Sequence, residues 1–134
     1  MSDPRYGLDT GFFFRLFEGT ERARSVWTTI VEGRADDGVV SAVSVYELQR
    51  NALNGVLVRN DMEAFLDELP VLATIHDTLS REKAQRAAYL GGGTEMPVAD
   101  ALILQAVLDE EVTHIFTTDH DCTAYEGEPE VEVI

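Results

Sequence analysis

The chain has 134 residues, 45% of them hydrophobic, so residues 1–134 are expected to form a single domain with an ordinary core. A formal charge of −15 argues against binding nucleic acid by a broad basic face, because phosphate affinity normally comes from Lys and Arg, and Lys83 is the one lysine beside nine arginines. A single cysteine, Cys122, excludes an internal disulfide and, with no Cys/His cluster, a structural zinc site. With neither a membrane-length apolar run nor a signal-peptide pattern in MSDPRYG, a cytoplasmic protein with no membrane contact is expected. The acidic surface also suits a salt-rich cytosol, where charge is screened beyond about 3 Å at molar ionic strength. A halophilic source is therefore expected.

RYGLDT predicts a short strand with Asp9 at its C-terminal end, a position that faces clefts in α/β sheets. GFFFRLF predicts a helical turn that packs its aromatics on the sheet. TERARSVWTTIVEG predicts a helix capped by Thr20 and stopped by Gly33, with Ala23, Val26, Trp27, Ile30 and Val31 at helical spacing. After Gly38, VVSAVSV begins as a strand and passes into a helix, where Ser44 and Glu47 have the spacing of a capping box. NDMEAFLDEL predicts an amphipathic helix from Asn60 or Asp61, and PVLATI a strand. Thr78 or Ser80 caps the next helix, which carries Ala84, Ala87, Ala88 and Leu90 and ends in GGGTEMP. In MPVADALILQAVL, Pro97 fits the first turn, Asp100 follows, and Ala99, Leu102, Ile103, Ala106 and Val107 line one face. THIFTTD predicts a strand delivering Asp119, HDCTAYEGEP is turn-rich, and VEVI suits an edge strand. Strands separated by helices imply a three-layer α/β/α sandwich around a mainly parallel sheet.

Asp9, Glu47, Asp100 and Asp119 each interrupt an apolar segment, and convergence on one metal site is the expectation. Two alternatives stay open: the capping box also explains Glu47, and the helix dipole alone stabilises a first-turn Asp100 by roughly 0.3–1 kcal/mol. Four converging carboxylates repel strongly, since two unit charges about 4 Å apart cost roughly 4 kcal/mol at an effective dielectric near 20. No lysine lies near them in sequence, and oxygen-only ligands suit Mg²⁺ or Mn²⁺. Such ions serve phosphodiester hydrolysis by activating water and stabilising the leaving oxygen. Arg15, Arg50 and Arg86 are candidate helpers that read first as solvated surface. His76, His114 and His120 read as structural, and Tyr46 and the Phe12–Phe14 cluster as core.

Residues 119–123 spell D-x-D-x-T, similar to the phosphatase loop of the haloacid-dehalogenase family, but that loop belongs after the first strand. A receiver domain needs a late-strand lysine that is absent, and GGGT at 91–94 lacks the Gly-Lys-Ser/Thr of a phosphate loop. By contrast Leu8-Asp9-Thr10, Ser44 to Leu48, Val98 to Ile103 and Thr117-Thr118-Asp119 resemble the four acidic motifs of PIN-domain ribonucleases. Their order and spacing, with the chain length, are similar to small VapC-type toxins of toxin–antitoxin systems, over almost the whole chain. The resemblance implies a metal-dependent endoribonuclease in which Asp9, Glu47, Asp100 and Asp119 hold Mg²⁺ or Mn²⁺. It implies that Thr117 shapes the site and that Asp121 contributes through water. An RNA substrate, a homodimer and a cognate antitoxin are implied as well. Cys122 departs from the bulky apolar residue usual at its place, and basic residues are scarce, which lowers the expected RNA affinity. The alternative is a non-catalytic PIN-like protein that binds RNA or a protein partner.

Overall fold

Alternation along five short strands divides the core between two faces of one sheet. Strands β1 (Tyr6–Leu8), β2 (Gly38–Ser41), β3 (Thr74–His76), β4 (His114–Thr117) and β5 (Glu130–Val133) run parallel in the order β3-β2-β1-β4-β5. The computed structural model describes residues 3–93, 95–120 and 127–134, so Asp121 and Cys122 lie outside the described residues. Leu8 stands level with Val40 and Phe116, whereas Gly7 stands level with Val39 and Ile115. On the Leu8 face the core gathers Phe12 and Phe13 of α1 (Thr10–Glu18), Val26 and Ile30 of α2 (Glu21–Glu32), Leu48 of α3 (Ala42–Leu53) and Leu69 of α4 (Arg59–Leu72). On the other face Leu104 and Val107 of α6 (Val98–Asp109) pack with Val39, Val112 and Ile115, while α5 (Arg81–Gly91) lies along α6. This is the expected three-layer α/β/α arrangement, with each fully buried Phe or Leu contributing roughly 1.5–3 kcal/mol.

From β1 the chain moves outward through β2 and β3, then returns to β4 on the opposite side of β1. Such a reversal opens a crevice at the carboxyl ends of the two strands it separates. Asp9 directly follows β1, and Asp119 lies two residues beyond β4. α6 reaches the same end because Gly7 admits it: a Cβ on Gly7 would lie 2.9 Å from Val107 Cβ. The helix therefore rests on strand backbone, and its first turn holds Asp100.

Several expectations are corrected. α4 continues through Pro70 to Leu72, and the strand expected over PVLATI contracts to Thr74–His76. Pro70 is tolerated in the last turn, where the fully buried Leu69 ties the helix to the core. α4 also starts at Arg59, with Val58 at the N-cap position and no side-chain cap. α6 is buried on more than one face, with Ala101, Leu104 and Gln105 joining Ile103, Ala106 and Val107, because both α5 and the sheet cover it. Ser80 caps α5 by accepting from Lys83 N, while Thr78 accepts from Lys83 Nζ. Tyr46, read as core from the sequence, is 61% exposed, whereas Phe12 and Phe13 are fully buried. Among the described residues no helix is long and apolar enough to cross a membrane.

Filling the gap between β1 and α6 is expected to strain both. Gly7→Ala should lower the unfolding free energy by about 1–3 kcal/mol, read as a shifted midpoint at unchanged slope in urea denaturation.

Candidate active site

Asp9 follows β1 and caps α1. Its Oδ1 accepts from Phe12 N at 2.9 Å, so one carboxylate both starts the helix and is oriented by it. Its Oδ2 accepts a hydrogen bond from the hydroxyl of Thr117, which is wholly buried at the end of β4. Asp119 N in turn donates to Thr117 Oγ1 at 2.9 Å, so one threonine fixes two of the four acids across the β1–β4 crevice. Gly11 makes room for this loop, since a Cβ there would overlap the side chain of Thr118.

Glu47 arrives from α3, and its local structure overturns the capping box. Ser41, not Ser44, is the N-cap, with its Oγ accepting from Val43 N at 3.1 Å. Ser44 is therefore inside the helix, fully buried, and lies 3.0 Å from Thr10 Oγ1. Thr10 Oγ1 donates to Glu47 Oε1 at 2.7 Å, which turns the glutamate toward α1. Thr10 and Ser44 are the supporting residues that sequence reasoning did not single out for this purpose. Their signals were present in the Asp9-Thr10 pair and in the Ser44–Glu47 spacing, the second of which has a simpler reading as a cap.

Asp100 is where the four acids meet electrostatically. Its carboxyl is pushed up to about 7, first by burial, then by a hydrogen bond shared with Asp119 and by the charges of Asp119, Glu47 and Asp9. Asp9 is also raised, mainly by burial, against the lowering effect of bonds from Thr117, Phe12 N and Thr118 N. Asp9, Glu47, Asp100 and Asp119 are thus brought together at partly buried positions. Oxygen-only donors grouped in this way match the requirements of a hard divalent cation.

A tighter cluster lies elsewhere. Among the described residues, His76, Asp109 and Glu110 form the trio whose ligand atoms all fall within 4.8 Å of one another. The four acids stand further apart than this trio, as like charges are expected to. His76 faces Glu110 at 3.3 Å and Asp109 at 3.7 Å, but Asp109 also meets Lys83 at 3.0 Å and Arg86 at 3.5 Å. The Lys83 bond holds Asp109 below the usual carboxylate range. With these cations in place, the cluster is an ion-pair network that ties β3, α5 and the end of α6 together. A surface cavity of about 840 Å³, lined by Arg5, Leu108, Thr113 and Pro129 among others, contains none of the four acids.

This fold and crevice define a class. The PIN domain family model matches residues 6–128, and the chain belongs to the PIN-domain family. Solved structures with the same fold include a toxin–antitoxin complex from Klebsiella pneumoniae, at 19% identity, TM-score 0.68 and 96% coverage of both chains. They also include VapBC2 from Rickettsia felis bound to a DNA fragment from their promoter, at 15% identity and TM-score 0.71, covering 96% of this chain and 97% of that one. DNA-bound VapBC from Salmonella typhimurium matches at 14% identity and TM-score 0.70, covering 98% of each chain. A search of curated protein sequences finds no significant match.

The raised carboxyls have a definite pH signature in metal-free protein. A folded-state pKa above the unfolded value means the folded chain holds the proton more tightly, so the stability Asp100 contributes is complete below about pH 4 and is lost as pH rises through about 7. Asp100→Asn removes this dependence. In urea denaturation with chelator present, the variant should gain stability relative to wild type as pH increases from 4 to 8; a constant difference would contradict the shift.

Proposed function

We propose that the chain is a divalent-metal-dependent endoribonuclease, a VapC-like toxin that hydrolyses phosphodiester bonds in RNA. The observation that supports this reading is Asp100, raised first by burial and then by Asp119, Glu47 and Asp9, so that carboxylates from four separate parts of the chain act on one another. Asp9, Glu47, Asp100 and Asp119 are the proposed holders of Mg²⁺ or Mn²⁺, with Asp121 contributing through water. When bound, the ion supplies water activation and charge neutralisation at the scissile phosphate.

The chain's own part is orientation. Thr117 and Phe12 N hold the two oxygens of Asp9 in a fixed plane, while Thr10 fixes Glu47, so neither carboxylate has to be ordered when substrate arrives. Asp100, raised to about 7 by burial and by its acidic neighbours, carries a proton below that pH and thereby reduces repulsion within the crevice.

A cognate antitoxin, in line with the toxin–antitoxin complexes that share the fold, and a homodimer complete the proposal. Leu53, Val56 and Val58 around the α3–α4 turn, with Val71 further along α4, are more than half exposed and offer apolar surface for a partner. A halophilic setting for the charge of −15 is proposed with it.

The test uses the full chain purified free of any antitoxin, incubated with total RNA at low and molar salt. Cleavage is expected with Mn²⁺ or Mg²⁺, none with chelator, and a loss of at least about 100-fold for Asp9→Asn and Asp100→Asn with unchanged circular dichroism. Binding of RNA without cleavage under all these conditions would favour the non-catalytic alternative.

A further inference from the structure

Resting on the ribonuclease reading, a second feature beside the acids concerns how substrate is held. Tyr46, Glu47, Arg50, Asn51 and Asn54 line a cavity of about 310 Å³ on α3. Glu47 belongs to this wall and to the acid cluster, so the cavity adjoins the crevice. Its volume lies at the lower end of the roughly 300–1,000 Å³ of small-ligand sites.

Four observations give the cavity a chemistry. Tyr46 presents an aromatic ring that is 61% exposed, which its hydrophobicity does not explain. Arg50 Nη1 donates to the Tyr46 hydroxyl at 3.3 Å, one helical turn away, holding a cation next to that ring. Among the described residues, six of the nine arginines pair with carboxylates, and Arg50 is one of the three that do not, despite the charge of −15. Asn51 is fixed by donating from Nδ2 to the Glu47 carbonyl at 2.7 Å, and its side-chain oxygen has no partner among the described residues. A stacking surface, an uncompensated cation and amide groups within one depression are the parts that single-stranded RNA requires: base stacking, phosphate neutralisation and base-edge hydrogen bonds.

We propose that this cavity is a nucleotide subsite for single-stranded RNA, seating the nucleotide next to the bond that is cut. Tyr46 stacks on its base, Arg50 neutralises its phosphate, and Asn51 and Asn54 contact its base edge. The subsite supplies locally the attraction that the overall charge withholds. An arginine and tyrosine serving only as solvated surface would leave RNA binding unchanged when replaced.

The experiment measures binding of a fluorescein-labelled random-sequence RNA 12-mer by anisotropy, with Ca²⁺ present, across a salt series, for wild type, Tyr46→Ala, Tyr46→Phe and Arg50→Gln. Tyr46→Ala and Arg50→Gln are each expected to weaken binding about ten-fold, while Tyr46→Phe, which keeps the ring, recovers most of it. Arg50→Gln should also flatten the slope of log K against log salt by about 0.7. Wild-type RNA binding and cleavage that persist undiminished in Tyr46→Ala and Arg50→Gln overturn the subsite and leave the ribonuclease reading standing. Wild type that neither binds nor cleaves RNA overturns both. Loss of antitoxin binding in these variants with RNA binding intact assigns the face to a protein partner and overturns the subsite.

Discussion

Mutual repulsion among carboxylates at the carboxyl ends of β1 and β4 is the constraint to which the surrounding structure responds. Asp9 is held by a helix N-terminus and a buried threonine, Glu47 by Thr10, and Asp100 by a hydrogen bond shared with Asp119. Each of these contacts fixes an acid whose charge the others oppose. The carboxyls of Asp100 and Asp9 are raised first by burial, and the neighbouring acids add to that rise. Such strain is tolerated because the layers behind it are tightly packed: Val107 sits against Gly7, and Phe12, Phe13 and Phe116 fill the opposite face. The helix that delivers Asp100 is thus fixed by packing, independently of the charge it carries.

Charge elsewhere follows a different pattern. Arg22 and Glu132 pair at 2.7 Å across α2 and β5, Arg59 and Glu63 pair along α4, and Lys83 and Arg86 both pair with Asp109 at the end of α6. These pairs are mostly exposed and contribute little singly, about 0–1 kcal/mol each. They leave few basic groups for a polyanion, so any attraction for RNA must be concentrated close to the crevice. Arg50 has that position, and the acids themselves become attractive only through a cation they hold.

How much of this was legible in the sequence depended on whether a residue's role was local. Asp9 and Asp119 could be placed because strand ends in a parallel sheet face a crevice whichever helices follow. The passage from β2 to α3 was visible in VVSAVSV, but its cap was misplaced by one helical turn. Ser41 and Ser44 are equally good capping residues, and only the distant Thr10 distinguishes them by pulling Ser44 and Glu47 inward. Pro70 suggested a break because its effect on an isolated helix is severe, yet burial of Leu69 retains the last turn. Tyr46 looked like core because aromatics usually are; its exposure depends on which face of α3 the sheet leaves uncovered, a property of the tertiary fold. The closeness of α6 to β1 had a signal in Gly7, but the partner Val107 is 100 residues away.

The most direct test of the central claim is anomalous scattering from crystals of the chain grown or soaked with Mn²⁺. The expected result is a peak in the crevice within about 2–2.5 Å of carboxylate oxygens from the four-acid group of Asp9, Glu47, Asp100 and Asp119, lost in Asp100→Asn crystals treated alike. A peak confined to His76, Asp109 and Glu110, with none at the four acids, would contradict it.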